Sequence, residues 1–125
     1  MHTTQTREQI ADAVARAIRG FNADVLEEVA SRVDVSMVDD LIIVRLYGVL
    51  TPAERRLAGS ANGPALIKQF RSSLLDNERP RLVRAIAELT QLEVQEVFTD
   101  VHVASRQQVI VLALAPAQEN PGPHR

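Results

Sequence analysis

The sequence predicts an α+β two-layer sandwich. The expected sheet has four strands, mainly antiparallel, made from two hairpins. A long kinked helix and an N-terminal helix are expected on one face. Three observations lead there. Apolar residues recur at helical spacing over 5–21 and again from Pro64 to Leu89. Two segments, 34–47 and 93–115, instead show alternation and β-branched apolar runs. Their order, helix then hairpin then helices then hairpin, suits one sheet under one helical layer.

The first helix follows from Ile10, Val14, Ile18 and Phe21, with Ala13 and Ala17 beside them. Thr6 is its predicted N-cap, and Gly20 its end or a break. Asn22–Arg32 reads as the opening of a second helix, capped by Asn22, with Val25, Leu26, Val29 and Val33 as its apolar stripe.

From Asp34 the period changes to two. Asp39-Asp40 is a turn signal. Leu41–Tyr47 is β-branched and apolar on both faces, so it reads as a central strand buried on both sides. Thr51-Pro52-Ala53-Glu54 is a capping box with proline at the first helical position. A short helix is expected to end near Gly59. Pro64 opens the long helix, in which Ile67, Phe70, Leu74, Leu82, Ile86 and Leu89 keep one phase through Pro80. Pro80 removes a backbone bond to Asp76, so a kink is expected there. In Glu93–Val103, Val97, Thr99, Val101 and Val103 share one face, and Phe98, Asp100 and His102 the other. Gln108–Ala115 reads as a second strand apolar on both faces. Residues 1–115 are thus expected to form one domain. The tail 116–125, rich in proline, is expected to be disordered.

Composition narrows the chemistry. The chain has 125 residues, a formal net charge of -2, and no cysteine or tryptophan. Disulfides, thiolate metal sites and a cysteine nucleophile are therefore excluded. The near-neutral balance and the scarcity of strand aromatics argue against nucleic acid as a partner. The start of the sequence lacks an apolar h-region, and its longest apolar stretch is Val109–Ala115, so a cytoplasmic protein without membrane insertion is expected. Of the 14 basic residues only Lys68 is lysine.

No histidine pair has zinc-ligand spacing, and no serine lies in a nucleophile elbow. The glycines form no phosphate-binding loop. No cofactor, metal or catalytic residue is expected. Asp39-Asp40 suits a turn better than acid–base work. Asp100, inside an otherwise β-prone strand, needs a partner or water. The charged residues of the long helix, Arg71 and Arg79 among them, read as its solvated face, with a phosphate or bicarbonate contact by either arginine as the alternative.

Val44-Arg45-Leu46-Tyr47-Gly48-Val49-Leu50-Thr51-Pro52-Ala53-Glu54-Arg55-Arg56-Leu57 is followed by Gly63, Ile67, Arg71, Arg79, Leu82, Val94 and Asp100. In this run and spacing the chain resembles the MpsC-like family, named for a membrane-potential-generating system. The resemblance spans about three fifths of the sequence. It implies an accessory protein linked to a membrane cation or inorganic-carbon (bicarbonate) uptake system, with no established catalytic activity. By position it singles out Arg45, Thr51, Glu54, Arg71, Arg79 and Asp100 for ligand or partner binding. For Thr51 and Glu54 the alternative is a purely structural role, since they make the cap.

Two functional expectations follow. Two strands apolar on both faces exceed what one helical layer covers, so a homodimer is expected, with a membrane transporter subunit as the further partner implied by the resemblance. The other expectation is a small-molecule or anion sensor (bicarbonate, phosphate or nucleotide) with Arg71 and Asp100 lining a groove.

Overall fold

The computed structural model describes residues 5–28 and 30–116. Helix α1 (Arg7–Leu26) leads to strands β1 (Arg32–Val38) and β2 (Leu41–Tyr47), then helices α2 (Pro52–Leu57) and α3 (Gly63–Thr90), then strands β3 (Val94–His102) and β4 (Gln107–Leu114). The sheet has strand order β1-β2-β4-β3 and is antiparallel throughout. Both long helices pack side by side on one face, α1 over β1 and α3 over β3. The tail expected to be disordered lies, beyond Pro116, outside the described residues.

Helix α1 begins with a capping box in which Thr6 Oγ1 accepts from Gln9 N and Gln9 Oε1 accepts from Thr6 N. Contrary to the sequence reading, it does not break at Gly20, and no second helix opens at Asn22. The stripe Ala13, Val14, Ala17, Ile18, Phe21 and Asn22 stays buried on one continuous helix. Gly20 sits on the exposed side, with nothing within 4 Å of where a Cβ would be. A glycine there costs about 1 kcal/mol of propensity, too little to outweigh the buried stripe. The helix stops instead at Glu27, which takes the left-handed conformation (φ 53°). Val33, assigned from sequence to a second helix, lies in β1 opposite Leu46.

Helix α3 runs unbroken through Pro80. Its buried stripe is Ile67, Arg71, Leu75, Leu82, Ile86 and Thr90. Phe70 and Leu89, placed in the core by periodicity, are 51% and 41% exposed. The stripe is rotated by one residue over its first half because an arginine, not the neighbouring phenylalanine, occupies the buried position.

Beneath the helices lie Ile42, Val44 and Leu46 of β2, Ile110 and Leu112 of β4, and Val97 and Val101 of β3. Each such side chain fully buried contributes about 1.5–3 kcal/mol. Val94 and Val97 both point inward although three residues apart. The register slips between Val94 and Glu96, leaving Gln95 as the extra residue of a bulge.

Strands β2 and β4 are central, but they are not buried on both sides. Ile43, Val109 and Val111 on the second face are only half-buried, shielded by their neighbours in the sheet rather than by another layer. That face carries four rows across the strands. They are Val38–Leu41–Ala113–Glu96, Ser36–Ile43–Val111–Phe98, Asp34–Arg45–Val109–Asp100 and Arg32–Tyr47–Gln107–His102.

Candidate functional site

The polar centre of the molecule is Arg71, only 2% exposed in the first half of α3. Its partners come from three separate parts of the fold. Glu54, at the third position of α2, receives Arg71 Nε at 2.9 Å and Nη2 at 2.6 Å. Glu28, in the α1–β1 loop, receives Nη2 and, at 3.5 Å, Nη1. Gln108, at the start of β4, receives Nη1 at 3.2 Å. These contacts occupy all five N–H donors of the guanidinium.

Two carboxylates around one guanidinium leave an excess of negative charge, and neutral donors stabilise it. Leu50 N donates to Glu28 Oε1 and Asn22 Nδ2 donates to Glu28 Oε2, both at 3.2 Å. Thr51 N donates to Glu54 Oε1 at 2.8 Å, while Thr51 Oγ1 accepts from Glu54 N. The predicted capping box is therefore present and is also the mount that aims Glu54 at Arg71. Gln108 Nε2 donates onward to Thr99 Oγ1, which donates to Val109 O. Burial alone would push the Glu54 carboxyl up. The hydrogen bonds from Arg71 and Thr51 outweigh it and hold that carboxyl below its ordinary value. Burial likewise works against the Arg71 charge, and the two carboxylates reverse the effect.

Of the six residues singled out by sequence, the structure gathers Arg71, Glu54 and Thr51 here and places the other three elsewhere. Asp100 does not meet Arg71; it lies exposed on β3, with Lys68 Nζ at 3.2 Å. The groove expected to hold both is therefore not formed. Arg79 pairs with Asp76 at 3.2 Å and approaches Glu96 at 3.9 Å, while its buried Nε has no partner among the described residues. Arg45 lies on the uncovered sheet face, where Nε and Nη2 donate to Gln107 Oε1 at 2.9 and 2.7 Å. There the Arg32 and Arg45 guanidiniums approach the Tyr47 ring at 5.0 and 5.1 Å. Sequence reasoning missed Glu28, Asn22 and Gln108. The available signal was Gln108, a polar residue at an inward position of an apolar strand.

This fold and site define a small α+β protein with a saturated ion cluster in its core and an uncovered sheet face. Among the described residues no helix is long and apolar enough to cross a membrane. Residues 6–116 match the family described as "Na+-translocating membrane potential-generating system (MpsC)". The chain belongs to that family. It is 31% identical over 110 residues to the Bacillus subtilis (strain 168) protein described as "Uncharacterized protein YbcI", covering 88% of this chain and 89% of that one. No solved structure matches it.

Proposed function

We propose that this chain is a non-enzymatic, cytoplasmic accessory protein that acts by binding other proteins through the uncovered face of its sheet. The system it serves moves a cation or inorganic carbon across a membrane. Its first partner is a second copy of itself, and its further partner is a subunit of the transporter. The observation that carries this reading is the uncovered face. Val38, Leu41, Ile43, Val111 and Phe98 form a mainly apolar end, with Ser36 and Glu96 on its edge strands, and Arg32, Asp34, Arg45 and Asp100 form a charged end. Phe98 is 57% exposed. An apolar area rimmed by charge is the usual make-up of a protein contact, with the apolar part supplying affinity and the charges register. Arg71 supports the same reading, because its donors are all engaged inside the molecule. The link to a membrane system rests on family membership.

The test has two arms. Light scattering on the eluting peak of a size-exclusion column is expected to give a dimer for the native chain and a monomer for Val111→Asp. A native monomer at micromolar concentration overturns the homodimer. Affinity purification from detergent-solubilised native membranes is expected to recover an integral membrane subunit with the native chain and not with Val111→Asp. Recovery of the chain alone overturns the transporter link.

A further inference from the structure

A cleft of about 610 Å³ lies at one end of the molecule, away from the apolar rows of the open face. It is walled by Arg55 of α2, by Lys68 near the start of α3, and by the β3–β4 connection ending at Arg106. Its volume falls within the range of small-molecule sites. Its apolar lining comes from Leu50, Val101 and Val103, and its lining residues include Arg55, Lys68 and Arg106 but no carboxylate. Lys68 is offset by Asp100. Among the described residues neither Arg55 nor Arg106 forms an ion pair. Arg55 and Arg106 thus border the cleft as cations without a neutralising acid among the described residues, which is a standing attraction for an anion.

The backbone around the cleft is held in uncommon conformations. Leu50 has φ 90° and Arg106 φ 56°, both in the region that disfavours a side chain. Leu50 is fixed from both sides, since its N–H donates to Glu28 and its carbonyl accepts from Arg55 Nη1 at 3.1 Å. Val49 N donates to Arg106 O at 3.1 Å and ties the two segments together. The buried ion cluster thus braces the wall of the cleft.

We infer that this cleft binds a small organic anion, its phosphate or carboxylate group held by Arg55, Lys68 and Arg106 and its apolar body against Leu50, Val101 and Val103. The site meets the sheet face invoked above at His102, but its lining includes neither Val111 nor Phe98, so either reading can fail alone.

The probe is phenyl phosphate, titrated into the ¹⁵N-labelled full chain and followed by NMR. Saturable shifts are expected at the amides of Leu50, Val101, Val103 and Arg106. Phenol and inorganic phosphate are each expected to bind at least about tenfold more weakly, since each supplies only half of the recognition. Lys68→Gln and Arg106→Gln are each expected to weaken phenyl phosphate by about tenfold, the loss of one charge-assisted contact, with an unchanged thermal midpoint. Vesicles of phosphatidylglycerol separate the two sources of this chemistry. Binding to them that phenyl phosphate displaces identifies a lipid headgroup; binding of the free probe without vesicle binding identifies a soluble anion. The inference is overturned by absence of saturable shifts at these residues. It is equally overturned by phosphate binding as tightly as phenyl phosphate, or by unchanged binding in the Lys68→Gln/Arg106→Gln double variant.

Discussion

Arg71 and Glu54 meet in a two-point ion pair, Nε to Oε2 at 2.9 Å and Nη2 to Oε1 at 2.6 Å, with both side chains nearly removed from water. A lone buried charge would be strongly unfavourable. Here each carboxylate has several donors and each guanidinium N–H an acceptor, so the cluster tolerates its burial.

Removal of the cation leaves Glu28 and Glu54 buried and unpaired. Arg71→Met is therefore expected to lower the unfolding free energy by about 3–5 kcal/mol. Adding Glu28→Gln and Glu54→Gln to it is expected to recover part of that loss. Urea unfolding of the single and triple variants measures both. A single variant as stable as the native chain would contradict the arrangement.

Acid weakens the same cluster. The folded-state Glu54 carboxyl is held below its ordinary value, about 4.3 in an unfolded chain. Its contribution is then complete above the unfolded value and is lost as pH falls through the lower folded value. Stability is expected to decline on acidification through that window, and Glu54→Gln is expected to be less stable at neutral pH but flatter across it. Thermal midpoints recorded against pH check this.

Two glycines are expected to answer alanine substitution with opposite sign. At Gly63 an added Cβ would lie 1.8 Å from the Leu57 carbonyl oxygen, which is backbone and cannot turn aside. Gly63→Ala is expected to cost at least about 2 kcal/mol, as overpacking does. At Gly20 the added methyl meets open space inside a helix, so Gly20→Ala is expected to stabilise by about 0.5–1 kcal/mol. Chemical denaturation of the two proteins distinguishes them.

On the uncovered face, Phe98→Ser is expected to change the stability of the isolated chain by no more than about 0.5 kcal/mol, because the ring is already largely in water. The same change is expected to weaken self-association, read as a shift in the dissociation curve by analytical ultracentrifugation. Equal association of the two proteins would show that Phe98 is outside the contact.

Much of the fold is legible in the residues themselves, because its signals are local. The Thr51–Glu54 box, the turn at Asp39-Asp40, the alternation around Val97–Val101 and the continuation of one helix through Pro80 all lie within a few positions of the structure they specify. The ion cluster is not local. Glu28 and Arg71 are 43 residues apart, and nothing around either one announces the other. Counting apolar periods even misdirects at that point, since it prefers Phe70 to the arginine that is buried beside it. Coverage of a sheet face is equally hidden. Leu41–Tyr47 has an apolar composition that suits two buried faces, yet only the helices' positions reveal that one face is left open.

The cluster around Arg71 draws on the α1–β1 loop, on α2, on α3 and on β4, with Thr99 of β3 one bond further. No subset of these elements encloses the charge by itself. The described residues are therefore expected to unfold as one cooperative unit: unfolding should be all-or-none, and hydrogen exchange around Arg71 in α3 should require opening of the whole unit rather than fraying of a part.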